Sequence, residues 1–174
     1  MAVLATDWPI LCFVQISECR PQDLDLLGAA MPSVSPRAHY LRFERQLAGQ
    51  STVLIAWVDG VPAGHAEIRW DGNDVGDPFP RCPQVSAMEV WPAERRSQGI
   101  GTALVAEAER RAVSRGLDQI GLGVADSNWR AAALYLRLGF RETGCRFFDH
   151  HEIRDGGRTR WVSEPCRFLV KTLG

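Results

Sequence analysis

The residues best suited to chemistry are Arg96-Ser97-Gln98-Gly99-Ile100-Gly101-Thr102, which follow the apolar run Val85-Ser86-Ala87-Met88-Glu89-Val90 and lead into an amphipathic stretch. A strand that ends in a glycine-containing turn and opens a helix makes an anion site. The first N–H groups of the helix have no partner inside it, and its dipole favours negative charge there. Gly99 and Gly101 let the backbone approach a phosphate with no Cβ in the way. A nucleotide-hydrolysing phosphate loop would need Gly-Lys-Ser/Thr, but Gly101 is followed directly by Thr102. The dinucleotide fingerprint fails as well: Leu104 stands where its third glycine belongs, and the strand lies too far upstream for that tight turn. What remains is an Arg-x-x-Gly-x-Gly turn that would hold a phosphate-bearing ligand through its backbone.

A second segment, Asn128-Trp129-Arg130-Ala131-Ala132-Ala133-Leu134-Tyr135-Leu136-Arg137-Leu138-Gly139-Phe140, begins on a good N-cap residue and ends on a helix-stopping glycine. The turn at 96–101 resembles the pyrophosphate-binding turn of the GNAT superfamily of acetyl-CoA-dependent N-acetyltransferases. The second segment is similar to that family's Asn-x-x-Ala-x-x-x-Tyr-x-x-x-Gly-Phe signature at every defining position, and the two occur in the family's order. The resemblance covers roughly residues 51–147; the first fifty residues and the tail match only in general layout. It implies a layered α/β (α+β) domain spanning residues 1–174, with a mixed, mostly antiparallel sheet of about six to seven strands, a central splay and about four flanking helices. It implies acetyl-CoA as co-substrate and no metal. Backbone donors would come from Gln98, Gly99, Ile100, Gly101 and Thr102, strand contacts to the pantetheine arm from Met88 and Val90, and charge at the rim from Arg96. Asn128 would help hold the cofactor beside its role as N-cap, and Tyr135 would donate a proton to the departing sulfur.

Moving an acetyl group onto an amine makes three demands. An ammonium with a pKa of roughly 10 must lose a proton. The tetrahedral oxyanion must meet a donor, for which the backbone N–H of Val90 or a neighbour is the natural choice. The thiolate must be protonated or stabilised, the part that the resemblance gives to Tyr135. Two carboxylates could serve as base, directly or through water. Glu89 lies between Met88 and Val90 and so points to the opposite face of its strand. Glu67 alternates with His65 and Arg69 in what reads as a polar, solvated strand face. His150 and His151 read as surface residues and Asp126 as a turn residue. A domain that binds acyl-CoA without catalysis, as a sensor or partner module, is the rival reading; the complete Asn128–Tyr135 signature favours the enzyme.

These residues must be positioned by the surrounding elements. Cys12 to Ile16 reads as a first strand, Pro21 to Ala30 as a helix, and Ser35-Pro36 as the start of a second helix with a stripe of Tyr40, Phe43 and Leu47. Ser51 to Val58 and Val61 to Trp70 form a hairpin about Asp59-Gly60. Trp70 to Gln84 is a long loop, and the helix after the turn runs to about Arg115 with Leu104, Val105, Ala108 and Ala112 on one face. Gln119 to Ala125 is a strand, and two final strands near Cys145–Ile153 and Cys166–Leu173 flank Asp155-Gly156-Gly157. The acceptor pocket is expected from the segments that match the family least: Ser33–Tyr40, the Trp70–Gln84 loop and the closing hairpin. Asp71, Asp74 and Asp77 in the loop suggest a cationic acceptor. An aminoglycoside, a polyamine-like amine, an amino acid and a peptide N-terminus or lysine all remain open.

Composition adds bounds. A chain of 174 residues is large enough for a real core, and a net charge of −1 argues for neither a nucleic-acid nor a membrane partner. The five cysteines, Cys12, Cys19, Cys82, Cys145 and Cys166, show no zinc-type spacing and fit reduced thiols. With no basic segment leading into a long apolar stretch, a cytoplasmic location is expected. The exposed edge of the final hairpin could pair with a second copy in a homodimer.

Overall fold

Asp59 and Gly60 both take left-handed backbone, with φ of 53° and 75°, and this pair of dihedrals closes the tight hairpin anticipated between β2 (Ser51–Val58) and β3 (Val61–Arg69). In the computed structural model, which describes residues 13–31, 35–72, 79–155 and 158–174, the hairpin lies inside a seven-stranded sheet. The other strands are β1 (Gln15–Glu18), β4 (Gln84–Val90), β5 (Gln119–Ala125), β6 (Arg141–Asp155) and β7 (Arg158–Thr172), in the order β1-β2-β3-β4-β5-β7-β6. Every pairing is antiparallel except β4 with β5. The helices are α1 (Leu24–Ala30), entered through a short 3-10 turn at Pro21–Asp23, α2 (Pro36–Leu47), α3 (Ile100–Ser114) and α4 (Trp129–Arg137). The mixed, mostly antiparallel sheet with flanking helices is the one expected. Among the described residues no helix is long and apolar enough to cross a membrane.

Alternation along β2 and β3 divides the core in two. Leu54, Ala56, Ala66 and Ile68 face α3 and α4, where Leu104, Val105, Ala108, Ala112, Ala132, Tyr135 and Phe140 complete one cluster. Val53 and Ile55 face α1 and α2 and pack with Leu24, Leu27, Met31 and Phe43. Fully burying a side chain of leucine or isoleucine size contributes about 1.5–3 kcal/mol, so the apolar face of α3 largely accounts for its docking.

The parallel pair β4–β5 carries the feature that matters for function. Its register holds at only two positions, Gln84 with Gly121 and Val85 with Leu122, after which the strands diverge. Divergence is helped by a bulge in β4: His65 pairs with Glu89 but Glu67 with Ser86, so three steps on β4 match two on β3, and Ala87 sits at φ 49°.

Several local expectations are corrected. The first strand starts at Gln15 rather than Cys12, which lies outside the described residues together with Ser33, Asp74, Asp77, Gly156 and Gly157. The face that α2 buries carries His39 and Phe43; Tyr40 and Leu47 are 48% and 72% exposed. Each closing strand is longer than its apolar residues announce, because β6 and β7 pair along stretches that are polar on both sides.

Candidate active site

The turn after β4 opens α3 with backbone donors directed outward. Ser97 and Gly99 both take left-handed backbone, with φ of 62° and 88°, and Gly99 caps α3. The first bond of that helix runs from the Ala103 N–H to the Gly99 carbonyl at 2.9 Å. Ahead of it, the N–H groups of Ile100, Gly101 and Thr102 point out of the helix end, where the dipole is positive. Gln98 is held by its own side chain, whose amide donates to the Glu94 carbonyl at 2.7 Å. Arg96, exposed beside the turn, donates through Nε to the Val90 carbonyl at 3.3 Å. The Trp91 N–H bonds back to Ala63 of β3 at 3.0 Å, so the N–H of Val90, one residue earlier on extended chain, points the other way, toward the splay. A phosphate on the turn and an amide-bearing arm along β4 fit these unpaired donors.

On the α3/α4 side, Asn128 caps α4 by accepting from the Ala131 N–H at 3.1 Å. One turn further on, Tyr135 is buried against Phe140, yet among the described residues no group hydrogen-bonds its hydroxyl. Burial pushes the phenol up to about 12, so it stays protonated and able to donate at neutral pH. Met88 and Val90 pack toward this same core, and Leu134 lies 3.5 Å from where a Cβ on Gly101 would stand.

The opposite face of the same strands is polar. His65 and Glu67, expected on a solvated face, are 1% and 2% exposed. The reason is α2, which lays His39, Arg42 and Arg45 over them. Arg45 grips Glu67 with two bonds of 2.8 Å each. His65 Nε2 lies 3.8 Å from Oε2 of Glu89, its register partner on β4, and the His39 ring stands edge-on to His65 with centroids 5.1 Å apart. Burial, then the neighbouring His65 and Arg42, push His39 down to about 3; burial likewise holds His65 below its ordinary value. Both imidazoles are therefore neutral. The Glu89 side chain keeps 22% of its surface exposed, against 3% for Glu67. Further along this face, β5 presents glycines to aromatic rings: a Cβ on Gly121 or Gly123 would come within 2.5 Å of Phe168 or Phe147 respectively.

The profile of the acetyltransferase (GNAT) family matches residues 21–140, well over half of the chain. The chain belongs to this family. Among solved structures, the acetyltransferase is similar to the ribosomal-protein-alanine N-acetyltransferase of Brucella melitensis (22% identity, 91% of this chain and 99% of that one covered, TM-score 0.66). It is also similar to the ribosomal-protein-S18-alanine N-acetyltransferase of Escherichia coli (19% identity, 93% and 95% covered, TM-score 0.66). A third is yncA of Salmonella typhimurium, solved with its cofactor acetyl-CoA (20% identity, 92% and 94% covered, TM-score 0.64). Likeness at these identities is a likeness of fold. No curated protein sequence matches the chain significantly.

The acetyltransferase thus brings Met88, Val90, Arg96, Gln98–Thr102, Asn128 and Tyr135 around one side of the splay, and Glu89 onto the other. Glu67 shares the face of Glu89 but is engaged by Arg45. Asp126 pairs with Arg146 at 2.6 Å, and His151 with Asp149 at 3.1 Å. The sequence reading missed His39, Arg42 and Arg45. A signal existed: the three recur at every third position of α2, which places them on one helical face. Cys19 and Cys82, buried, have thiols pushed up by that burial to about 12 and about 11, which makes them poor nucleophiles.

Proposed function

We propose that this single-domain, cytoplasmic acetyltransferase moves the acetyl group of acetyl-CoA directly to a primary amine, with Glu89 as general base and Tyr135 as general acid. The observation that carries the reading is the divergence of β4 and β5 beyond Val85 and Leu122, with a carboxylate on one face and a protonated phenol on the other. The co-substrate enters from the α3/α4 side, its pyrophosphate on the N–H groups of Ile100–Thr102, with Arg96 at the rim and Asn128 near the arm. The acceptor comes from the α1/α2 side. Glu89 takes a proton from the ammonium and passes it to water; the amine nitrogen then attacks the thioester carbonyl carbon and gives its second proton to the same carboxylate. The Val90 N–H receives the developing oxyanion. As the carbon–sulfur bond breaks, Tyr135 gives its proton to the sulfur and is reprotonated from solvent. No step needs a covalent enzyme intermediate.

Glu89 is chosen over Glu67 on geometry. A base must reach its proton and let it go, and a carboxylate held in two charge-assisted bonds to Arg45 does neither well. The acceptor class is open to test among primary amines, and similarity to the ribosomal-protein-alanine enzymes makes a peptide N-terminus one class to include. The test is acetyl-CoA titration by calorimetry, followed by thiol release with a panel of amines. Micromolar binding with amine-dependent release of CoA supports the reading, and absence of acetyl-CoA binding refutes it.

A further inference from the structure

Arg42 and Arg45 lie one turn apart on α2 and face the same strands, yet their circumstances differ. Arg45 is neutralised by Glu67, whereas among the described residues no carboxylate lies within ion-pair distance of Arg42. The Arg42 guanidinium is largely withdrawn from water: its Nη1 is buried and without a hydrogen-bond partner. The same holds for both ring nitrogens of His39 and both of His65. Folded proteins leave few buried polar atoms unpaired, and a buried cation without a contacting anion is among the costliest. Five such atoms meet here in one patch, and all are nitrogen. Each neutral imidazole balances one donor nitrogen against one acceptor nitrogen, whereas arginine only donates, so the donor excess of the patch belongs to Arg42. Beside it stand Glu67, whose charge acts on Arg42 and His65 although its oxygens are bonded to Arg45, and Glu89, whose charge acts on Arg42, His39 and His65.

A negative group that would receive an ammonium, next to a guanidinium with no carboxylate in contact among the described residues, is complementary to a zwitterion. We infer that the acceptor carries a carboxylate close to its reactive amine, and that Arg42 is the specificity-determining residue that binds it. This rests on the reading of Glu89 as the base facing the acceptor. Arginine's planar fork suits a carboxylate, and a charge-assisted pair shielded from water supplies discrimination that a solvated one does not. The cationic acceptor suggested by the acidic loop residues is disfavoured, because Arg42 would repel a second positive charge.

The test compares matched acceptors: glycine, leucine, phenylalanine and glutamate, each against its carboxamide and its decarboxylated amine, measured by CoA release. An Ala-Glu peptide amide against Ala-Gln asks the same of an acidic peptide, and distinguishes that source of the carboxylate from a free amino acid. The expected result is a preference in kcat/KM of about 10- to 100-fold for the acid over its amide, carried mainly by KM, which falls to near one in Arg42→Gln. Apo Arg42→Gln should melt no lower than wild type, since a buried unpaired cation is removed; a purely structural arginine would lower the melting temperature and leave the acid-to-amide ratio intact. A wild-type ratio near or below one, or a ratio unchanged in Arg42→Gln, overturns the proposal. Equal turnover of acids and amides would leave acetyl transfer standing and remove only the carboxylate site. If no acceptor turns over, titration of N-acetyl-leucine and its amide into CoA-loaded protein decides. Acid-selective binding lost in Arg42→Gln supports Arg42 while removing Glu89's role, and equal or absent binding overturns the proposal.

Discussion

The two faces of the sheet around the splay are built on opposite physical rules. Toward α3 and α4 the side chains are apolar, packed and fully buried, and the polar groups left unpaired are backbone N–H groups at a helix end. Toward α2 lie the buried His39, His65 and Glu67 with the half-buried Arg42, Arg45 and Glu89, and several of their nitrogens are unpaired. On the proposed reading the first face would recognise something generic, a pyrophosphate and an amide-bearing arm, by main-chain geometry that any suitable sequence can supply. The second would recognise something particular, by charged side chains whose burial costs stability. Binding the shared co-substrate and choosing the acceptor are thus separable, and mutations should separate them.

The sharpest cut is Gly101→Trp. An indole there would be driven toward Leu134 and Met88, into the path of the co-substrate. Acetyl-CoA affinity measured by calorimetry should fall more than about a hundredfold. The acid-side stability profile set by the histidines on the other face should survive. Wild-type affinity would dismiss the turn as the phosphate site.

Next is Glu67→Gln, which removes a buried carboxylate from its two bonds to Arg45. Urea unfolding should show a loss of about 2–4 kcal/mol, kept below the deepest cases because Arg45 is partly exposed. Activity per folded molecule should hold. Full stability with lost turnover would instead make Glu67 the base.

The histidines predict a pH dependence. His39 is held down to about 3 and His65 also below its ordinary value, both chiefly by burial, amid Arg42, Arg45, Glu67 and Glu89. Unfolded histidines take up protons below about pH 6.5 while these do not, so the unfolded state binds more protons and folding weakens as the pH falls. The stability is fully present above about 6.5; the share from His39 drains toward about 3, by up to about 1.4 kcal/mol per pH unit, and His65 acts in the same direction. Urea titrations at pH 7, 6 and 5 should show this slope, and His39→Phe should make it shallower. A slope indifferent to that substitution would place the charge uptake elsewhere.

The smallest effect belongs to the α4 cap. Asn128→Ala should cost about 1 kcal/mol in unfolding free energy through the lost bond to the Ala131 N–H. If acetyl-CoA affinity falls as well, Asn128 also touches the arm.

The contrast between the faces explains what could be seen in the sequence. The α3 stripe of Leu104, Val105, Ala108 and Ala112, the turn glycines and the Asp59-Gly60 hairpin were legible, because apolar periodicity and positive φ leave compositional marks. The α2 face was not. Tyr40 and Leu47 looked like its buried stripe, but His39 goes inside, since the strands beneath α2 carry His65 and Glu67, and polar residues are buried where polar residues meet them. Nothing at Ala87 announced the β4 bulge, because alanine has no preference for the left-handed region. That bulge lies between Val85, the last β4 residue paired with β5, and Glu89, so the most consequential geometry was the least visible.

The most direct test of the division of labour is single-turnover acetyl transfer by Glu89→Gln, with acetyl-CoA affinity measured on the same sample and Tyr135→Phe alongside. The account predicts that Glu89→Gln binds acetyl-CoA as wild type does while the chemical step slows by about 10²–10⁴-fold, with the deficit relieved as pH rises and the free amine fraction grows. Loss of acetyl-CoA binding together with turnover, or turnover at the wild-type rate, would contradict it.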